Sequence, residues 1–231
     1  MSNIAIITAR GGSKRIPNKN IKDFCGKPII CYSIETALNC KIFDEVMVST
    51  DDEAIAEIAQ KAGAKVPFFR SSENSDDFST TADVLLEVLS AYNQIGKSFE
   101  TACCIYPTAP FINIELLQNS YSTLIQEKVD TVFPIQEFGF PIQRAVFQNE
   151  EGLLSWVQPE NAKKRSQDLQ KCYHDAGQFY FFDVKKFIES KALLTTNSKG
   201  IVISEMAGHD IDTFEDWKIA EFKYKLRHQN G

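Results

Sequence analysis

The strongest constraint on the fold is a rhythm: short apolar runs, each followed by a polar loop and then a stretch with helical spacing. Ile4–Ala9 is a continuous apolar run, which suits a strand buried on both faces. Glu45–Ser49, Val66–Phe69, Thr101–Tyr106 and Thr131–Ile135 read as further strands. Between them lie helical stretches. One is opened by Pro28 and runs to about Cys40. Glu53–Ala62 is capped by Asp51 or Asp52 and stopped by Gly63. Ser79–Ile95 gathers Ala82, Leu85, Leu86 and Leu89 on one face, and Thr80 with Asp83 can form a capping box. Ile114–Gln126 follows. Strands alternating with helices at this spacing predict βαβ units, hence an α/β fold with a doubly wound, mostly parallel sheet. In such sheets ligands bind beyond the carboxyl ends of the strands.

Toward the C-terminus, Gly177–Asp183 reads as an aromatic strand, Lys185–Ser190 as a short helix and Ile201–Ile203 as a short strand. Thr213 caps an expected last helix to His228. The pattern loosens over 136–172, with possible strands near Arg144–Gln148 and Leu153–Val157. We expect one domain, 1–231, with 136–172 as an excursion serving as a dimerisation arm or a lid. At this length folding buries roughly 70% of the unfolded surface, so a core needs no covalent staples. The six cysteines show no C-x-x-C spacing, which predicts reduced thiols. No signal-peptide core and no apolar run of ~20 residues is present. The expectation is a soluble cytoplasmic protein with no membrane partner.

Charge narrows the ligand class. The net formal charge is −6, yet Arg10, Lys14, Arg15, Lys19, Lys22 and Lys27 face only Asp23 within the first thirty residues. An acidic protein is a poor general nucleic-acid binder. A basic island on it points instead to a small anionic ligand. The island lies in the loop after the first strand, Ala9-Arg10-Gly11-Gly12-Ser13-Lys14-Arg15-Ile16-Pro17-Asn18-Lys19-Asn20. Gly11 and Gly12 allow backbone N–H groups to approach an anion, and an arginine can fork onto phosphate oxygens. Neither the P-loop pattern nor the dinucleotide fingerprint is present. Near the other end, His209-Asp210-Ile211-Asp212-Thr213 places two carboxylates at i and i+2. In extended chain they share one face and suit Mg²⁺, which takes oxygen ligands and keeps water and phosphate in its shell.

The first loop resembles the signature of the CMP-sugar-acid synthetases, cytidylyltransferases that join CTP to a nonulosonic acid and release pyrophosphate. That resemblance implies a Rossmann-like fold of the nucleotide-diphospho-sugar transferase type and a homodimer paired through the excursion. It assigns catalytic roles to Lys14, Arg10 and Lys19 and nucleotide contacts to Ala9, Arg10, Gly11, Gly12 and Asn20. Arg70, after the third expected strand, matches an arginine that contacts cytosine. Thr80 and Thr81 match a nucleoside-holding position, although helix capping also accounts for Thr80. Asp210 and Asp212 match the family's metal-binding pair, with Mg²⁺ as the cofactor.

Cys104-Ile105-Tyr106-Pro107-Thr108-Ala109-Pro110-Phe111 is similar to the family's Gln-Pro-Thr-Ser-Pro-Leu-Arg segment. Pro107 is expected beside the nucleotide. Tyr106 and Ile112 stand where the sialic acid branch has Gln and Arg. Together with Arg165-Ser166-Gln167-Asp168-Leu169 and Tyr173-His174-Asp175-Ala176-Gly177-Gln178, this segment looks like the pseudaminic acid branch. By resemblance, Tyr106, Arg165, Gln167, His174 and Gln178 are expected at the sugar. The alternatives are a CMP-N-acetylneuraminate or CMP-legionaminate synthetase, a 3-deoxy-octulosonate cytidylyltransferase and, from another class, an inactive nucleotide-binding regulator.

Overall fold

A computed structural model describes residues 2–76 and 78–229; Asp77 of the acidic run before the third helix lies outside them. Strand β1 (Asn3–Thr8) is followed by the basic loop and a two-strand ribbon, β2 (Asp23–Phe24) and β3 (Lys27–Pro28). Then come α1 (Ile29–Asn39), β4 (Glu45–Ser49), α2 (Glu53–Lys61), α3 (Thr81–Gln94), β5 (Thr101–Ile105), α4 (Ile114–Glu127) and β6 (Thr131–Glu137). The excursion carries the hairpin β7 (Val146–Gln148) and β8 (Leu154–Trp156). Strands β9 (Tyr173–Asp175) and β10 (Phe179–Asp183), helix α5 (Val184–Ser190), β11 (Ser198–Val202) and α6 (Phe214–Gln229) complete the chain.

The main sheet has the order β11-β6-β10-β5-β1-β4, with β9 beside β6. Pairs β1–β4, β1–β5 and β6–β11 are parallel, whereas β10 runs antiparallel to both β5 and β6. The strands alternate as the pleat requires. Ala5, Ile7, Cys103, Ile105, Phe179 and Phe181 face a core shared with α1, α2 and α4. Ile4, Ile6, Ala102, Cys104, Tyr180 and Phe182 face a second core closed by α3 and α5. Helices on both faces make the sheet doubly wound, as expected.

Two helix starts follow the sequence logic closely. Thr80 accepts from the Asp83 N–H while Asp83 accepts from the Thr80 N–H, a complete capping box. Thr213 and Asp216 make the same reciprocal pair at the head of α6. The expected strand Val66–Phe69 does not form. Lys65 makes one parallel bridge to Met47, and Pro67, lacking an N–H, ends the ladder. The expected strand from Gly177 starts two residues later, because Gly177 takes a left-handed turn (φ +63°) between β9 and β10.

A third core cluster, Ile16, Phe24, Ile29, Tyr32, Phe111, Ile211, Trp217 and Ala220, positions the site. Ile16 lies in the middle of the basic loop, and Ile211 lies between the two aspartates. Both are fully buried, so hydrophobic burial joins two segments far apart in sequence.

At the opposite edge, Glu45 is buried and accepts from the Tyr92 hydroxyl at 2.8 Å, from Lys65 at 3.0 Å and from Lys97. Burial alone would raise its carboxyl, but the hydrogen bonds from Lys97, Tyr92 and Lys65 hold it below the usual range. Its stabilisation is therefore complete above the ordinary carboxylate pKa and is lost as pH falls through the depressed folded value. Glu45→Gln is expected to unfold at lower urea at pH 7 and to lose less stability on acidification than the parent. An equal fall in urea midpoint from pH 7 to pH 4 in the variant and the parent would contradict this.

Candidate active site

Strands β4, β1, β5 and β6 end on one edge of the sheet, and β10 begins there. A cavity of about 610 Å³ opens at that edge. Its floor is Thr8 at the end of β1, and the basic loop supplies Arg10, Ser13, Lys14, Arg15, Lys19 and Asn20.

The loop is held by its own polar groups. The Gly11 N–H donates to Asp51 Oδ1 at 2.9 Å, and a Cβ on Gly11 would stand 2.7 Å from Asp52 Oδ2. A larger residue here would press on the side chain that caps α2, so this glycine suits a close approach. Asp52 caps α2 by accepting from Ile55. Asn20 donates to the Arg10 carbonyl at 2.9 Å, closing the loop on itself. Arg10 donates to the Asp76 carbonyl at 2.6 Å.

A second wall comes from Arg70, Asn74, Asp76, Ser79, Thr80 and Thr81, leading into α3. Arg70 is buried and donates through Nε and Nη2 to the Ser49 hydroxyl and carbonyl, at 3.1 and 2.6 Å. Tyr106, Pro107 and Thr108 extend the wall beyond β5. The Tyr106 ring meets Tyr180 edge-on at 5.8 Å, and burial raises its phenol pKa. Ser33 fixes the Tyr106 carbonyl at 2.8 Å.

Asp210 and Asp212 also line the cavity, beside the basic loop. Ile211 points into the core between them, so the two carboxylates share the outward face. Arg15 grips Asp212 with both terminal nitrogens, each at 2.8 Å. Lys19 donates to the Ile211 carbonyl at 2.7 Å and lies 3.8 Å from Asp212. Burial lowers the Lys19 pKa in spite of Asp212 and Asp210. Burial, then repulsion from Asp212, raises that of Asp210. Two neighbouring carboxylates that repel one another gain from a cation between them. Among the described residues no three His, Cys, Asp or Glu side chains form a metal cage. Two carboxylates facing an open cavity fit Mg²⁺, which keeps water and takes substrate phosphates as further ligands.

The structure thus brings Arg10, Lys14, Lys19, Asn20, Arg70, Thr80, Thr81, Tyr106, Pro107, Asp210 and Asp212 to one cavity. Ala9 is buried beneath it, Gly11 is packed on Asp52, and Gly12 has open space around its Cα. Four of the residues expected at the sugar do not line it. Arg165 pairs with Asp168 on an exposed single turn. Gln167 belongs to a separate cavity of about 300 Å³ within the excursion. His174 is exposed with its ring against Phe138. Gln178 is buried and donates its amide to the Ala207 carbonyl at 2.7 Å.

Arg15 is the residue that the sequence reading left without a role. Its place between Lys14 and Lys19 was the available signal, but its partner lies 197 positions away. Asn74, Asp76 and Ser79 were hidden in a polar stretch with no periodicity.

A family model described as Cytidylyltransferase matches residues 4–204. The chain is 46% identical over 234 residues to the pseudaminic acid cytidylyltransferase of Campylobacter jejuni subsp. jejuni serotype O:2, covering 100% of both chains. It is 29% identical to the CMP-N,N'-diacetyllegionaminic acid synthase of Legionella pneumophila, covering 98% of this chain and 97% of that one. Among solved structures, the CMP:2-keto-3-deoxy-manno-octonic acid synthetase complexed with CTP superposes with a TM-score of 0.71 at 17% identity, covering 100% of both chains. That last likeness concerns the fold.

Proposed function

Because the chain belongs to the cytidylyltransferase family, we propose that it transfers CMP from CTP to a nonulosonic acid, pseudaminic acid above all, and releases pyrophosphate. The observation that carries this reading is the convergence of the basic loop and the acidic pair on one cavity. The full-length likeness to a pseudaminic acid enzyme supports the choice of sugar.

The physical problem is to bring two anions together. Arg10, Lys14 and Lys19 neutralise the triphosphate, and that neutralisation matters most as charge builds on the departing pyrophosphate. Arg70 and Asn74 border the base end, and Thr81 faces the nucleoside. Asp210 and Asp212 would hold Mg²⁺, which would supply Lewis-acid polarisation of the phosphates. The anomeric hydroxyl of the sugar attacks the α-phosphorus in line. A carbon–oxygen–phosphorus link forms as the α–β phosphoanhydride opens, and the hydroxyl proton passes to the acidic pair or to water. Arg15, paired with Asp212 at the same cavity, adds a further cation beside the phosphates. The experiment is pyrophosphate release from CTP over a panel of purified sugar acids. Pseudaminic acid is expected to be the fastest substrate. Faster turnover of N-acetylneuraminate or a legionaminate would move the assignment within the family, and CTP binding without turnover on any of them would refute it.

The excursion supports a homodimer. Its hairpin and flanks expose Phe140, Phe147, Leu153, Leu154 and Val157, each more than half accessible. Exposed apolar side chains gathered on one excursion favour a contact site there. Light scattering is expected to give twice the 26.1 kDa chain mass; a stable monomer at micromolar concentration overturns the dimer. No helix among the described residues is long and apolar enough to cross a membrane. All six cysteines are free, which supports a reducing cytoplasm as its place.

A further inference from the structure

The segment that delivers the two aspartates is held from behind by two buried glutamines. Gln136, near the end of β6, donates through Nε2 to the Ser204 carbonyl at 2.9 Å and reaches the Gly208 carbonyl at 3.4 Å. Gln178, just before β10, donates through Nε2 to the Ala207 carbonyl at 2.7 Å. Their side chains come from two adjacent lines of the sheet, and their residues are 8% and 2% exposed. The orientation of Gln178 is dictated, because only the NH₂ end can face a carbonyl. Its Oε1 is buried without a partner among the described residues. A polar atom left in that state is costly, so the amide is retained for what its nitrogen holds.

Gly208 gives the same account from the other side. Its backbone is extended (φ −160°, ψ 152°), a conformation any residue adopts, so torsion does not require glycine here. Space does: a Cβ at 208 would stand 2.9 Å from Gln178 Nε2 and 3.0 Å from Gln136 Nε2. The segment therefore passes between two amide groups with no room for a side chain. Two residues later the chain places Asp210 in the cavity, where its carboxylate also packs against the Gly177 turn, next to Gln178.

We propose that Gln136 and Gln178 are positioning residues: they clamp the 204–208 segment and thereby fix Asp210 and Asp212 for the metal. The metal part rests on the reading above; the clamp itself does not. Two readouts separate them. The first is hydrogen exchange of peptides spanning 204–212 in the ligand-free protein. Gln178→Leu and Gln136→Leu keep the bulk and remove the donors, and each is expected to speed exchange there at least 10-fold while leaving peptides of β1 and β5 unchanged. Gly208→Ala is expected to do the same by pushing both amides aside. The second is the Mg²⁺ concentration that half-activates pyrophosphate release, together with KM for the sugar acid. The clamp predicts that Gln178→Leu raises the Mg²⁺ requirement about 10-fold and changes the sugar KM less than twofold. Were Gln178 a sugar contact, the sugar KM would rise and the Mg²⁺ requirement would stay. Unchanged exchange in both Leu variants overturns the clamp outright. Faster exchange with an unchanged Mg²⁺ requirement overturns its positioning role. Asp210→Asn, run in parallel, shows whether the fault lies instead in the metal assignment, since that variant must itself alter the Mg²⁺ requirement.

Discussion

Asp212→Ala is expected to remove Mg²⁺-dependent pyrophosphate release, with kcat reduced by about 10³-fold or more. The side chain is one of the two carboxylates that the 210–212 segment brings to the cavity, in contact with Arg15 of the basic loop. Removing it halves the donor set available to the ion and leaves Arg15 facing the cavity without its carboxylate. Folding should change little. The Arg15–Asp212 pair is substantially exposed on both sides, 66% and 40%, and exposed ion pairs of this kind contribute roughly 0–1 kcal/mol. A melt within a few degrees of the parent together with lost turnover is the expected combination. Release above a tenth of the parent rate at saturating Mg²⁺ would remove the metal role from this residue.

Lys14→Ala is expected to lower kcat by about 10²–10³-fold, corresponding to ~3–4 kcal/mol of transition-state stabilisation. Lys14 is exposed on the basic loop and lines the cavity. The loop's shape depends on other groups: buried Ile16, the Gly11–Asp51 contact and the Asn20–Arg10 contact. The substitution therefore subtracts charge from the site and leaves its frame. If the role is charge neutralisation in the transition state, Lys14→Arg restores part of the rate, and KM for CTP rises less than kcat falls. Parent-like turnover in Lys14→Ala would refute the role.

What the sequence disclosed divides by range. β1 was legible because Ile4, Ala5, Ile6 and Ile7 all pack inside, on alternating faces of one strand. The α3 start was legible because Thr80 and Asp83 carry their own hydrogen-bond partners within one turn. Local chemistry of this kind is written in adjacent residues. The reversed direction of β10 was not legible, since Phe179–Asp183 reads the same in either direction and only its pairing with β5 and β6 sets the sense. Nor was the burial of Gln178, a polar residue whose partner carbonyl lies 29 positions onward. Val66–Phe69 misled for the opposite reason: β-favouring composition was overruled by one proline. At the site, the cationic and acidic clusters were each visible alone. Their meeting was supplied by the resemblance, because nothing in either cluster names the other; in the structure Ile16 and Ile211 bring them together inside one apolar cluster.

That join has a kinetic consequence. The guanidinium of Arg15 and the carboxylate of Asp212 are separated by 197 positions, and α6, which seals Ile16 and Ile211 with Trp217, comes later still. Contacts of such span close slowly, because a long loop must lose its freedom before any gain is returned. During synthesis the basic loop leaves the ribosome long before its counterpart exists. Until then Ile16 has only the part of its cover that Phe24, Ile29, Tyr32 and Phe111 supply, and Arg15 has no Asp212 to meet. Nascent or truncated chains lacking the last helix can build the parallel core of β1, β4 and β5 and still carry no working centre. Catalytic competence is thus a late event in this protein's life, later than the burial of most of its core.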